Sequence, residues 1–192
     1  MSTQTEKSTN LNLPLSQEKL DWLKSKVRDI PDFPKPGIVF KDLTTLFSDA
    51  QAFAYVLDVM AERCKQLKPD VIAGIEARGF ILAPTIAYKL GLGFVPIRKP
   101  GKLPYKVEKL QYDLEYGTDT IEIHADAVSH GHRIVLIDDL LATGGTAGAA
   151  RQLLTTLGGN VVGVGFIVEL GFLKGRSKLS GESDVFALVN YE

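Results

Sequence analysis

Cysteine is almost missing from this chain: Cys64 stands alone among 192 residues. That excludes an intrachain disulfide and a cysteine-built zinc cluster, and a reducing compartment, the cytoplasm, is the setting it suggests. A surplus of either charge is missing too, because 22 basic residues face 23 acidic ones and leave a formal charge of -1. Nucleic acid and anionic membrane surfaces are thereby disfavoured as partners, and any basic site must be local. No uninterrupted apolar run nears the roughly 20 residues that a bilayer span requires. The polar start MSTQTEKSTNLNLP has neither the apolar centre of a signal peptide nor the arginines of a transit peptide. Two nucleotide motifs are also lacking. There is no Gly-Lys-Ser/Thr of a P-loop, and GGTAGA at 144–149 follows acidic residues instead of opening a GxGxxG turn, which disfavours nucleoside triphosphate hydrolysis.

What is present is an ordinary globular composition, 45% hydrophobic and 23% charged, enough to bury a substantial core. The length suits a single domain over residues 16–192, with 1–15 as a flexible tail. Ser16 is placed to cap a helix carrying Leu20, Leu23, Val27 and Ile30 on one face and ended by Pro31. Pro31, Pro34, Pro36 and Gly37 punctuate a loop into the apolar stretch Ile38 to Phe40. Asp49 opens a second helix whose stripe is Phe53, Val56, Leu57, Met60, Cys64 and Leu67, so Cys64 reads as core.

Short apolar runs then alternate with helical patterns. Val71 to Ile75, Phe94 to Ile97 and Ile134 to Ile137 read as strands, as do Val161 to Val168 and Val185 to Val189. Helices are expected over Ile81 to Leu90 and from Gly145 to about Leu157, with a short one at Leu173 to Leu179. The alternation predicts an α/β fold with a central, mostly parallel sheet flanked by helices. The polar segment from Arg98 to Thr118 is long for a connection and reads as a lid over a site. His124 falls in an alternating strand and His130 and His132 in a turn, without the arrangement of metal ligands.

The richest segment is Ile134 to Thr146, IVLIDDLLATGGT. Asp138 and Asp139 emerge at the carboxyl end of a buried strand, where parallel sheets hold ligands. Ala142, Thr143, Gly144, Gly145 and Thr146 follow at a helix start, with flexible backbone, converging N–H groups and two hydroxyls. That is a seat for phosphate. Acceptors for vicinal hydroxyls beside a phosphate seat suit a phosphorylated ribose.

The same segment resembles the phosphoribosyl diphosphate signature of the type I phosphoribosyltransferase family. Four further segments, DFPKPGIVFKD at 32–42, EARGF at 76–80, RKPGKLP at 98–104 and YDLEYGT at 112–118, resemble the adenine-specific members in order and spacing. The resemblance implies the family fold, with a small hood and a mobile lid loop, and transfer of ribose 5-phosphate from phosphoribosyl diphosphate to adenine. It implies diphosphate binding by Glu76, Ala77, Arg78 and Gly79, with a cis peptide between Glu76 and Ala77, helped by Arg98 and by Lys102 on the lid. Preorganised cations of this kind would steady charge on the departing diphosphate. It places adenine beside Val39, Phe40 and Lys41, with Leu170 as the opposite wall. Glu115 would guide the proton lost as N9 attacks, with Tyr116 closing over the site. The catalytic set is thus Glu115, Arg78 and Lys102. Magnesium is implied through phosphoribosyl diphosphate without a closed protein cage, and a homodimer is implied as the assembly. Position 41 departs from the family, which commonly has arginine there.

Overall fold

The structure is a computed structural model that describes residues 15–113, 117–179 and 183–192. The tail expected at 1–15 lies outside it except for Leu15. Helix α1 spans Gln17–Ser25 and is capped by Ser16, whose hydroxyl accepts from the Lys19 amide at 3.3 Å. It stops earlier than its apolar spacing predicts. Arg28–Pro31 is instead strand β1, paired antiparallel with β2 at Val39–Asp42, with Ile30 opposite Phe40. Proline at 31 disfavours helical backbone at Ile30. Charge pairing also favours the extended form: Arg28 donates to Asp42 at 2.5 and 3.1 Å, and Lys41 donates to Asp29 at 2.6 Å.

A short helix absent from the sequence reading, α2 (Thr44–Ser48), precedes α3 (Ala50–Gln66). The Asp49 carboxylate accepts from the amides of Gln51 and Ala52, both at 3.0 Å, satisfying two donors of the first turn of α3. Val56, Met60 and Cys64 on the inner face of α3 are fully buried. Each large apolar side chain so placed contributes about 1.5–3 kcal/mol by leaving water.

Strand β3 (Val71–Ile75) leads through α4 (Gly79–Leu90) to β4 (Gly93–Ile97). The segment from Arg98 to Thr118 is not a plain loop. It contains β5 (Val107–Asp113), which pairs antiparallel with β6 (Thr118–His124). Then follow β7 (Arg133–Ile137), the two-residue β8 (Leu140–Leu141), α5 (Gly145–Thr156), β9 (Asn160–Leu170) and β10 (Asp184–Tyr191). Between β9 and β10 the single short helix of the sequence reading is two 3-10 turns, Gly171–Leu173 and Gly175–Leu179.

The main sheet is parallel and ordered β10-β9-β7-β3-β4, with β8 added on β9. Alternation along the strands divides the interior into two layers. Ile72, Val135 and Ile167 face α3 and α4, while Ile75, Leu136 and Phe166 face α5 and β6. The chain leaves β3 toward β4, then returns to the other side of β3 with β7. The loops after β3 and β7 therefore flank the point where strand order reverses, the place where open α/β sheets bind ligands.

Candidate active site

The loop after β7 begins with Asp138 and Asp139, directly beside the loop after β3. Contact is so close that a Cβ on Gly79 would lie 2.9 Å from the Ile137 carbonyl oxygen and 3.1 Å from Asp138 Oδ1. Only glycine permits it. Asp139 is buried, yet its carboxylate is not alone: Arg78 Nε donates to Oδ2. Asp138 accepts from the Asp139 amide at 2.9 Å. Desolvation, reinforced by the neighbouring Asp139 charge, pushes the Asp138 carboxyl well above the usual carboxylate range. The Glu76–Ala77 peptide between these loops' residues is cis.

Downstream, Gly144 takes positive φ, +77°, and α5 begins at Gly145 with no side-chain cap. The first amides of α5 and the hydroxyls of Thr143 and Thr146 thus surround a helix start that suits an anion. This loop rests on Gly175, since a Cβ on Gly144 would overlap the Gly175 carbonyl oxygen. Gly175 is held in turn by Arg176, which donates to the buried Glu169 carboxylate at 2.7–2.9 Å and to the Val185 carbonyl at 2.5 Å. Sequence reasoning missed this clamp, because two charges meeting across a strand and a turn leave no periodic trace.

Arg98 forms a two-pronged pair with Glu76, at 2.8 and 3.2 Å, and the Lys99 amide adds a bond at 3.0 Å. Arg98 beside Glu76 holds that carboxyl below its ordinary value. Arg98 Nη1 also donates to the Lys102 carbonyl at 3.2 Å, which fixes the segment leading into β5 and leaves the Lys102 side chain exposed. Glu122 on β6 is buried, accepting from the Gly101 amide at 3.0 Å and pairing with Lys109 Nζ at 2.8 Å. Tyr112 on β5 reaches Thr146 in the first turn of α5, with 3.1 Å between the hydroxyls. That contact is a second one the sequence did not reveal. Glu115 and Tyr116 lie outside the described residues.

On the β1–β2 hairpin, the Phe40 ring is flanked by Phe33 edge-on at 5.2 Å and by the Arg78 guanidinium, 5.9 Å from the ring centroid. Val39 is half exposed. Lys41 turns away: besides its bond to Asp29, its ammonium sits 4.2 Å from the Tyr191 ring centroid. Leu170 ends β9 at the same carboxyl edge of the sheet, partly buried. The structure thus brings Glu76 with Arg98, Arg78 with Asp139, and Gly79 with Asp138 together at the ends of β3 and β7, with Phe40 against the Arg78 guanidinium.

The phosphoribosyl transferase domain family matches residues 45–185. An adenine phosphoribosyltransferase of Solibacter usitatus is 56% identical over 170 residues, covering 88% of this chain and 98% of the relative. The crystal structure of adenine phosphoribosyltransferase from Thermoanaerobacter pseudethanolicus superposes with a TM-score of 0.86 at 51% identity, covering 90% of this chain and 99% of that one. The Saccharomyces cerevisiae enzyme, solved with an imino-altritol bisphosphate and adenine, gives a TM-score of 0.84 at 40% identity over 90% of this chain and 99% of its own.

Proposed function

The chain belongs to the adenine phosphoribosyltransferase family, and from that premise we propose that it transfers ribose 5-phosphate from phosphoribosyl diphosphate to adenine, forming AMP and diphosphate in purine salvage. The observation that carries the reading is the position of Arg78. One guanidinium lies beside the Phe40 ring and bonds the Asp139 carboxylate, so it stands where base, sugar and leaving group must meet.

In this reading Asp138 and Asp139 accept the ribose hydroxyls, and Ala142 to Thr146 hold the 5-phosphate through main-chain amides and two hydroxyls. Glu76 to Gly79, with Arg98 and Lys102, hold diphosphate. Cleavage at the anomeric carbon places positive charge on the sugar and negative charge on diphosphate, so fixed cations at the latter lower the barrier. Adenine stacks on Phe40 against Leu170 and is read along its edge by the main chain of Val39 and Lys41. A carbonyl accepting from the exocyclic amine favours adenine over 6-oxo purines. Glu115 guides the proton released as N9 attacks, and Tyr116 helps exclude water. Mutating Glu115 or Asp139 to alanine lowers turnover on this account.

Magnesium enters with phosphoribosyl diphosphate. It would be held mainly by the substrate's own phosphates and water, with no ligand directly from the protein, while Asp138 and Asp139 would keep the ribose hydroxyls or meet the cation only through water. When bound, the cation offsets charge on the diphosphate. Residues 16–192 act as one domain with a tail before it. A second copy of the chain is the proposed partner, supported by the apolar Ile81 and Tyr88 exposed on one face of α4. Among the described residues no helix is long and apolar enough to cross a membrane, and a cytoplasmic setting is proposed from the lone, buried Cys64.

A base-competition assay tests the whole. Purified protein with phosphoribosyl diphosphate and magnesium should release diphosphate with adenine and much more slowly with hypoxanthine, guanine or xanthine. No AMP from adenine overturns the proposal.

A further inference from the structure

Resting on that reading of the 142–146 loop as the 5-phosphate seat, we propose that Tyr112 is a positioning residue which couples the filling of that seat to the hold on the β5–β6 hairpin. Four groups form the device. Tyr112 Oη lies 3.1 Å from Thr146 Oγ1, 3.2 Å from Asp119 Oδ2 and 3.4 Å from Lys99 Nζ, and Lys99 Nζ also bonds Asp119. The Lys99 amide bonds Glu76, so the group is tied to the loop after β3 as well.

Counting protons gives the logic. A phenol has one hydrogen to donate, a carboxylate has none, and an ammonium accepts nothing. Tyr112 can donate to Asp119, in which case its oxygen accepts from Thr146 and the Thr146 proton is consumed. Alternatively it donates to Thr146, whose own proton is then free to point into the seat, while Asp119 keeps Lys99. An anion in the seat demands donors, so it selects the second arrangement. The Tyr112–Asp119 bond within the hairpin is then released. In that state the chain Tyr112 to Thr146 to phosphate is polarised in one direction, and each bond strengthens the next.

The two directions of the device predict opposite signs. Tyr112→Phe keeps the ring and removes the relay, so the affinity for ribose 5-phosphate should fall about three- to tenfold, the range of one hydrogen bond. The affinity for diphosphate, which does not reach the seat, should stay within about twofold. In a Thr146→Val background the Tyr112→Phe effect should vanish. Asp119→Asn weakens the competing acceptor and should tighten ribose 5-phosphate by about two- to threefold.

Calorimetric titration of wild type, the three single variants and the Tyr112→Phe/Thr146→Val double variant with ribose 5-phosphate and with diphosphate reads all of this. Equal weakening of both ligands by Tyr112→Phe, additive effects in the double variant, or weaker ribose 5-phosphate binding by Asp119→Asn each overturn the coupling. Wild type that binds diphosphate and ribose 5-phosphate alongside an unaffected Tyr112→Phe overturns the coupling alone. Wild type that binds neither ligand overturns the functional reading beneath it. If Tyr112→Phe does not fold, the sign of the Asp119→Asn effect decides.

Discussion

Gly144 and Gly175 meet backbone to backbone. A Cβ on Gly144 would overlap the Gly175 carbonyl oxygen, and a Cβ on Gly175 would overlap the Ala142 carbonyl oxygen. The 142–146 loop, the proposed phosphate seat, is thus shaped from beneath by a turn that the Arg176–Glu169 clamp holds in place.

Gly175→Ala should accordingly push the loop out of shape without touching any ligand. Overpacking of this kind costs about 1–3 kcal/mol, and ribose 5-phosphate binding should weaken roughly tenfold while diphosphate binding changes little. Titration with the two fragments checks it. An unaltered ribose 5-phosphate affinity would show that the turn does not shape the seat.

Asp138 carries a stability cost that its proposed role as an acceptor of ribose hydroxyls explains. Its carboxyl is pushed up by desolvation and by Asp139, so the fold prefers it neutral. Ionisation then costs stability increasingly as pH rises from the ordinary carboxylate value toward the raised one. Asp138→Asn should therefore melt higher than wild type at neutral pH, with the gap closing below about pH 4, and should turn over more slowly. Melting curves across pH, beside activity, test both halves. A variant no more stable than wild type at pH 7 counts against the neutral form.

Asp42 has the opposite sign. Hydrogen bonds from the Thr44 amide and from Arg28 lower its carboxyl to about 2. The stability this provides is complete above the unfolded value near 3.8 and is lost as pH falls toward about 2. Asp42→Asn should destabilise the fold by roughly 1–2 kcal/mol at pH 7, with much of the difference gone at pH 2. Denaturant melts at the two pH values decide. A pH-independent difference would assign the effect to packing.

Cys64 should be inert. It is fully buried on α3, and burial pushes its thiol up to about 12, leaving almost no thiolate at neutral pH. A chromogenic disulfide reagent at pH 8 should label the native protein only at the rate of unfolding and label the denatured chain at once. Prompt labelling of the native form would contradict the placement.

Much of the fold is legible in the sequence because the central strands are buried on both faces. Val71–Ile75 and Ile134–Ile137 must be continuously apolar, and so they announce themselves. The acidic and glycine-rich loop is equally legible, since Asp138, Asp139 and Gly144 are costly or conformationally special residues that structure alone does not favour. The β5 strand hides because, from Val107 to Tyr112, its side chains are exposed or only partly buried, with Leu110 and Tyr112 alone against the core. Helix α1 is overextended by periodicity alone, since Val27 is buried whether or not its backbone is helical. Arg78–Asp139, Tyr112–Thr146 and Arg176–Glu169 are contacts between separate segments, and no local pattern encodes them.

The commitment of Lys41 has a consequence for how base preference changes over generations. With its ammonium engaged by Asp29 and the Tyr191 ring, position 41 offers the adenine of the proposed function its peptide group. A preference written in peptide groups is largely insensitive to which amino acid stands there. Single-letter replacements at 39 and 41 that keep the β1–β2 pairing leave the reading edge intact. Retuning it calls for shifting the strand register, by inserting or deleting a residue in the hairpin, a rarer kind of genetic event than substitution.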